Sequence, residues 1–139
     1  MVSNRPLVFH GKKDWRIEFW KGDYGPTIGA EVGLYYKDAG TNSQWYECVS
    51  NEDCLNMFMK LNDNAGNQLF ERSPVTTWWL TGFQIHAEDI DPSDLVLQVM
   101  INFKDHEMLN EFEYALNGLD DSRLSFSEIT DHSAYVEWR

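Results

Sequence analysis

The stretch 14–36, DWRIEFWKGDYGPTIGAEVGLYY, limits what this chain can fold into more than any other. Trp15, Ile17 and Phe19 alternate with Asp14, Arg16 and Glu18, the period of two expected of a strand that buries one face. Trp20 breaks the pattern by falling on the polar side. A loop over 20–26 follows, in which Gly22 and Gly25 allow unusual backbone angles and Pro26 has no N–H to give to a ladder. Beyond it Ile28, Ala30, Val32 and Leu34 share one face, and Gly29, Glu31, Gly33 and Tyr35 the other. An antiparallel hairpin that keeps both apolar sets together needs facing residue numbers with an odd sum, and a one-residue slip would bring the wrong faces together. A sum near 47 sets Arg16 opposite Glu31. Glu31 then reads as a cross-strand ion pair, or as a carboxylate in a groove that the neighbouring glycines keep open.

The remaining chain continues in strands. Residues 6–10 form an opening strand, placed at an edge by Pro6, and Lys12 and Lys13 mark a turn. A polar loop over 37–44 leads to an aromatic strand at 45–49. Alternation predicts a strand at 55–61 that returns through the Asn, Asp and Gly of 62–67 into 68–72, with Ser73-Pro74 ending it. Residues 77–83, TWWLTGF, carry large side chains on both faces and suit a central strand. The acidic run 87–94 fits no calcium loop and reads as solvated. Residues 95–103 form a long strand. A helix follows, N-capped by Asp105, with Met108, Leu109, Phe112, Ala115 and Leu116 on one face and Asn117-Gly118 at its end. A short strand within 119–131 and a closing strand at 134–138 complete the pattern. The expectation is one domain over 1–139, mainly β with one helix in the C-terminal half: an antiparallel β-sandwich or half-open barrel packed by the helix.

Three runs, WKGDYGPTIGAEVGLYY, FERSPVTTWWLTGF and DLVLQVMINF, resemble the uncharacterised bacterial family known as domain of unknown function 4474. The resemblance spans roughly residues 5 to 116. It implies a bacterial source and one compact domain, and it brings no activity, substrate or catalytic residues with it.

Composition narrows the function classes. The formal net charge is −12, and residues 1–40 hold six Lys and Arg against five Asp and Glu, so the acidity lies in the remainder. Such a surface disfavours nucleic acid and anionic membranes. No apolar run approaches the ~20 residues of a membrane span, and residues 1–10 lack the apolar core of a signal peptide. The expected location is cytoplasmic, or exported or membrane-tethered if a further segment precedes. Cys48 and Cys54 match no common zinc spacing and are expected as free thiols, with a short disulfide as the alternative in an exported domain. No metal site and no cofactor is expected, since nucleotide, metalloprotease and nucleophile-elbow motifs are lacking.

What stands out is aromatic content: 20 of 139 residues are Phe, Tyr or Trp, and several fall outside a buried pattern. Rigid rings near a glycine-bearing loop suit stacking on a sugar or gripping a peptide. The leading expectation is a non-catalytic binding module for a small molecule, a glycan, a cell-wall fragment or a protein partner. Its candidate binding residues are Trp20, Lys21, Tyr24, Glu31, Tyr35 and Trp45. Trp20, Lys21 and Tyr24 are expected to line one pocket with Glu31 at its floor. The alternative is a hydrolase or lyase with Glu31 as general acid or base and Lys21 as electrostatic stabiliser.

Overall fold

A computed structural model of the chain describes the backbone of residues 2–24, 27–48, 54–75, 85–86, 91 and 94–139, with side chains over 6–22, 30–48, 54–69, 91 and 94–139. Strands β1 (Val2–His10), β2 (Lys13–Tyr24), β3 (Thr27–Asp38) and β4 (Tyr46–Glu47) form one antiparallel sheet in that order, with β1 at the edge; β7 (Ile85–His86) also pairs β3, at its start. The second antiparallel sheet runs β6 (Gln68–Val75), β5 (Cys54–Asn62), β8 (Val96–Phe103), β10 (Ser133–Trp138), β9 (Leu124–Glu128). The one helix among the described residues, α1 (His106–Asn117), lies between β8 and β9 in the chain. The strand expected at 77–83 and most of the acidic run 87–94 lie outside the described residues.

The two sheets pack as a sandwich because both present an apolar face of period two. Trp15, Ile17 and Phe19 of β2, with Val32 and Leu34 of β3, meet Met57, Met59 and Leu61 of β5 and Leu97, Val99, Ile101 and Phe103 of β8. Rings cross the gap: Phe19 stacks on Trp138 at 5.3 Å between centroids, and Trp15 meets Phe103 edge-on at 6.4 Å. Asp105 caps α1 by accepting from the Met108 N–H at 2.9 Å. The helix buries Met108, Leu109, Phe112, Ala115 and Leu116, and Phe112 lies within 5.4 Å of Phe9, Trp15 and Phe103, so α1 closes one end of the core. On the other face Glu107 is exposed, whereas the Glu111 side chain is only 14% exposed and draws Lys12 and Lys13 to 3.9 Å each.

Three expectations need correcting. The β2–β3 register pairs residues whose numbers sum to 51, so Arg16 faces Tyr35 and Glu31 faces Trp20. The parity argument holds and both apolar sets share a face, but the ladder runs on through Tyr24↔Thr27. What the pattern suggested as a seven-residue loop is therefore mostly strand, with Tyr24↔Thr27 the last described pair of the ladder. Strand β6 continues past Ser73-Pro74 to Val75. The ladder to β5 breaks its register between Met57 and Met59, and β6 is an edge strand, two circumstances in which a proline is tolerated.

The third concerns Cys48 and Cys54, which form a disulfide between the end of β4 and the start of β5 rather than remaining free thiols. The Cys48 N–H donates to the Leu34 carbonyl at 2.9 Å and the Cys54 N–H to the Cys48 carbonyl at 3.3 Å, holding both buried cysteines at the crossing from one sheet to the other.

Candidate functional site

The outer face of the first sheet is a grid set by strand register. Reading across β1, β2, β3 and β4, one row is Val8, Arg16, Tyr35 and Glu47, and the next is Pro6, Glu18 and Gly33. After these come Asn4, Trp20 and Glu31, then Val2, Gly22 and Gly29. Glu31 thus stands between two rows in which β3 offers only hydrogen for a side chain. From the Tyr35 row to the Glu31 row is four residues of strand, about 14 Å at the usual rise per residue.

Arg16 organises one end of this face. Its guanidinium carbon lies 4.3 Å from the ring centre of Tyr35 and 5.0 Å from that of Trp45, and Lys37 Nζ sits 5.0 Å from the same indole. Cation and ring attract through the ring quadrupole, by about 0.5–1 kcal/mol at an exposed site and more where water is excluded. Arg16 Nε also lies 3.3 Å from Glu18 Oε1, within ion-pair range although off hydrogen-bonding geometry. Tyr35 is buried beneath this stack, and burial pushes its hydroxyl pKa well above the ordinary value. Trp45 stays partly exposed at the rim.

At the other end, Trp20 and Glu31 are both partly exposed. Desolvation raises the Glu31 carboxyl pKa above its ordinary value, and among the described residues no cation pairs with it. The cross-strand ion pair with Arg16 is thereby excluded: Arg16 belongs to the Tyr35 row and its carboxylate neighbour is Glu18.

Lys21 is not part of this face. It follows Phe19 on the inward side of β2, opposite Ala30, and is 3% exposed. Its Nζ donates to the Leu95 carbonyl at 2.6 Å and stands 4.6 Å from the Trp138 ring centre. Burial lowers its pKa, while Asp94 and Asp91 act to raise it. Trp20 and Lys21 do not line one pocket as expected, because adjacent strand residues point to opposite faces once 20–22 is strand rather than loop. For the same reason Lys21 cannot stabilise charge beside Glu31. Tyr24 ends β2 opposite Thr27, and its side chain lies outside the described residues.

Of the six residues singled out, the structure places Trp20, Glu31, Tyr35 and Trp45 on one face and turns Lys21 into the core. The site residue that sequence reasoning missed is Arg16: alternation put it on the right face, but its partners Tyr35 and Trp45 depended on a register that turn composition did not reveal. Among the described residues, no three His, Cys, Asp or Glu side chains converge as a metal site, and no helix is long and apolar enough to cross a membrane.

These features define a two-sheet antiparallel β-sandwich domain, closed at one end by a helix and bearing a mixed aromatic and charged outer face. The chain belongs to the family described as Domain of unknown function (DUF4474), matched over residues 1–138. Comparison with curated proteins and with solved structures finds no match.

Proposed function

We propose that this domain is a non-catalytic binding module that holds a glycan along the outer face of its first sheet. The observation that carries this reading is the Arg16 stack with Tyr35 and Trp45, separated by Gly33 from the partly exposed pair Trp20 and Glu31. Indoles at both ends offer flat apolar surface to sugar rings, while Glu18 and Glu31 offer acceptors to hydroxyls. A span of about 14 Å suits a short oligomer rather than a single ring. The buried Cys48–Cys54 disulfide supports a location outside a reducing cytosol, where such bonds persist.

A glycan array followed by calorimetry on the best ligand tests this. Trp45→Ala and Glu31→Gln should each weaken binding about tenfold or more, the loss of one stacking contact or one charged hydrogen bond, with little change in Tm. Absence of any glycan ligand, or binding indifferent to both substitutions, overturns it.

One observation favours a hydrolase as the second reading. Glu18 is the diagonal neighbour of Glu31 across β2 and β3, a relationship that places backbones about 7–8 Å apart. Two carboxyls separated by roughly 6.5–9.5 Å, one with its pKa raised, are the requirement for inverting glycoside hydrolysis. Release of reducing sugar from a bound glycan, abolished in Glu31→Gln, selects this reading over simple binding.

A further inference from the structure

A groove of about 840 Å³ opens where the turn between β1 and β2 meets the exposed face of α1. It shares no residue with the outer-face site and does not rest on the reading of that face. Gly11 lets the two walls approach: a Cβ there would lie 3.2 Å from Ala115 Cβ and 3.3 Å from Tyr114 Cδ1. On the turn side stands His10, whose Nδ1 lies 2.8 Å from Asp14 Oδ1; Asp14 in turn accepts from the Gly40 N–H at 3.2 Å. On the helix side stands His106, whose Nδ1 lies 2.6 Å from the Asp131 carbonyl oxygen. A carbonyl only accepts, so this nitrogen carries a proton and Nε2 is left for other partners; the Asp14 carboxylate orients His10 in the same sense. Both imidazoles are thus held from behind, with one ring nitrogen each remaining for the groove.

The remaining wall is chosen from few chemistries. Tyr114 projects a ring that is 74% exposed, and Asn110, four residues earlier, adds an amide on the same helical face. Formal charge is largely offset, because Lys12 and Lys13 both lie 3.9 Å from Glu111. The groove therefore offers a flat ring, an amide and two oriented ring nitrogens, with no net charge to select an ion.

We propose that the groove is a second carbohydrate site, taking an uncharged saccharide stacked on Tyr114 with its hydroxyls bonded to Asn110, His10 and His106. An anionic saccharide is disfavoured by Glu107 at the rim and by the chain's net charge of −12.

The test is amide and ring NMR of the whole chain titrated with cello-, xylo- and chito-oligosaccharides, with oligogalacturonate as the anionic probe. At least one uncharged probe should shift the Gly11 and Asn110 amides and the Tyr114 ring. Tyr114→Ala, at an exposed position that leaves folding intact, should weaken that response about tenfold, as loss of one stacking contact does. Trp45→Ala should leave it unchanged, which separates this site from the outer face. The proposal is overturned if no uncharged probe perturbs the groove, if Tyr114→Ala binds as the parent does, or if oligogalacturonate binds more tightly than the uncharged probes.

Discussion

Trp20 and Glu31 are directly opposed across the β2–β3 ladder, so an indole and a carboxylate without a cation beside it among the described residues share one patch of the outer face. Desolvation raises the Glu31 pKa above its ordinary 4.5, which means the folded chain holds this proton to higher pH than the unfolded chain does. Stability therefore falls as pH rises through the window from 4.5 to the folded value, and above that window the charged group remains a net cost. Glu31→Gln carries no such cost. Its Tm at pH 7 should equal or exceed that of the parent, and the gap should close as pH drops below 4.5. A variant less stable than the parent at pH 7 would show that Glu31 is held by an ion pair after all.

The disulfide yields a second expectation. Cys48 and Cys54 are six residues apart, a short loop, and the chain-entropy relation gives such a closure about 2 kcal/mol. Replacing both by alanine should lower the urea unfolding free energy by about that amount without altering the slope with denaturant. Because the bridge joins the end of β4 to the start of β5, loss of the fold altogether would mean that it also sets how the two sheets meet.

Alternation made most of both inward faces legible, in β2, β3, β8 and β10, and the helix with its Asp105 cap was legible too; in β5 it held for Met57, Met59 and Leu61 but not for Leu55, which is 60% exposed because the ladder to β8 shifts register between Cys54 and Asn56. Register was less legible. An odd sum is demanded by the faces, but 47 and 51 are both odd, and only how far the ladder continues, to Tyr24↔Thr27, decides between them. Lys21 shows a second limit. Its charge suggested the surface, yet the alternation that began at Trp15 predicts the inward face at residue 21, and here periodicity outweighed polarity because Leu95 and Trp138 receive the ammonium. The groove at Gly11 had no sequence signature, since His10 and His106 are brought together only when α1 folds back on the first hairpin.

Helix docking gives a third expectation. Phe112 is fully buried and meets Phe9, Trp15, Phe103 and Phe126, with ring centres 5.1 to 6.2 Å away. Phe112→Ala should cost roughly 3–5 kcal/mol, combining lost transfer energy with the cavity left behind. Exposed Tyr114, on the other side of the same helix, should tolerate alanine within about 0.5 kcal/mol. Chemical denaturation of the two variants side by side checks this, and similar losses in both would mean that α1 contributes through helix propensity rather than docking.

The buried ammonium of Lys21 sets the last expectation. Its folded-state pKa lies below the ordinary 10.5, because desolvation outweighs the attraction of Asp94 and Asp91. Between that lowered value and 10.5 the unfolded chain binds more protons than the folded one, so this residue's contribution makes stability rise with pH across the window. Lys21→Met removes the titration while keeping the stem over Trp138. It also leaves the Leu95 carbonyl without its donor, so at pH 7 relief of charge burial and loss of a hydrogen bond oppose each other, and the net change should stay within about 2 kcal/mol. Urea unfolding of parent and variant at pH 7 and pH 10 separates the two effects, since other titrating groups cancel in the difference. The parent should gain stability relative to the variant as pH rises; an unchanged difference would mean that the Leu95 carbonyl and the Trp138 ring compensate the ammonium fully for the water it has lost.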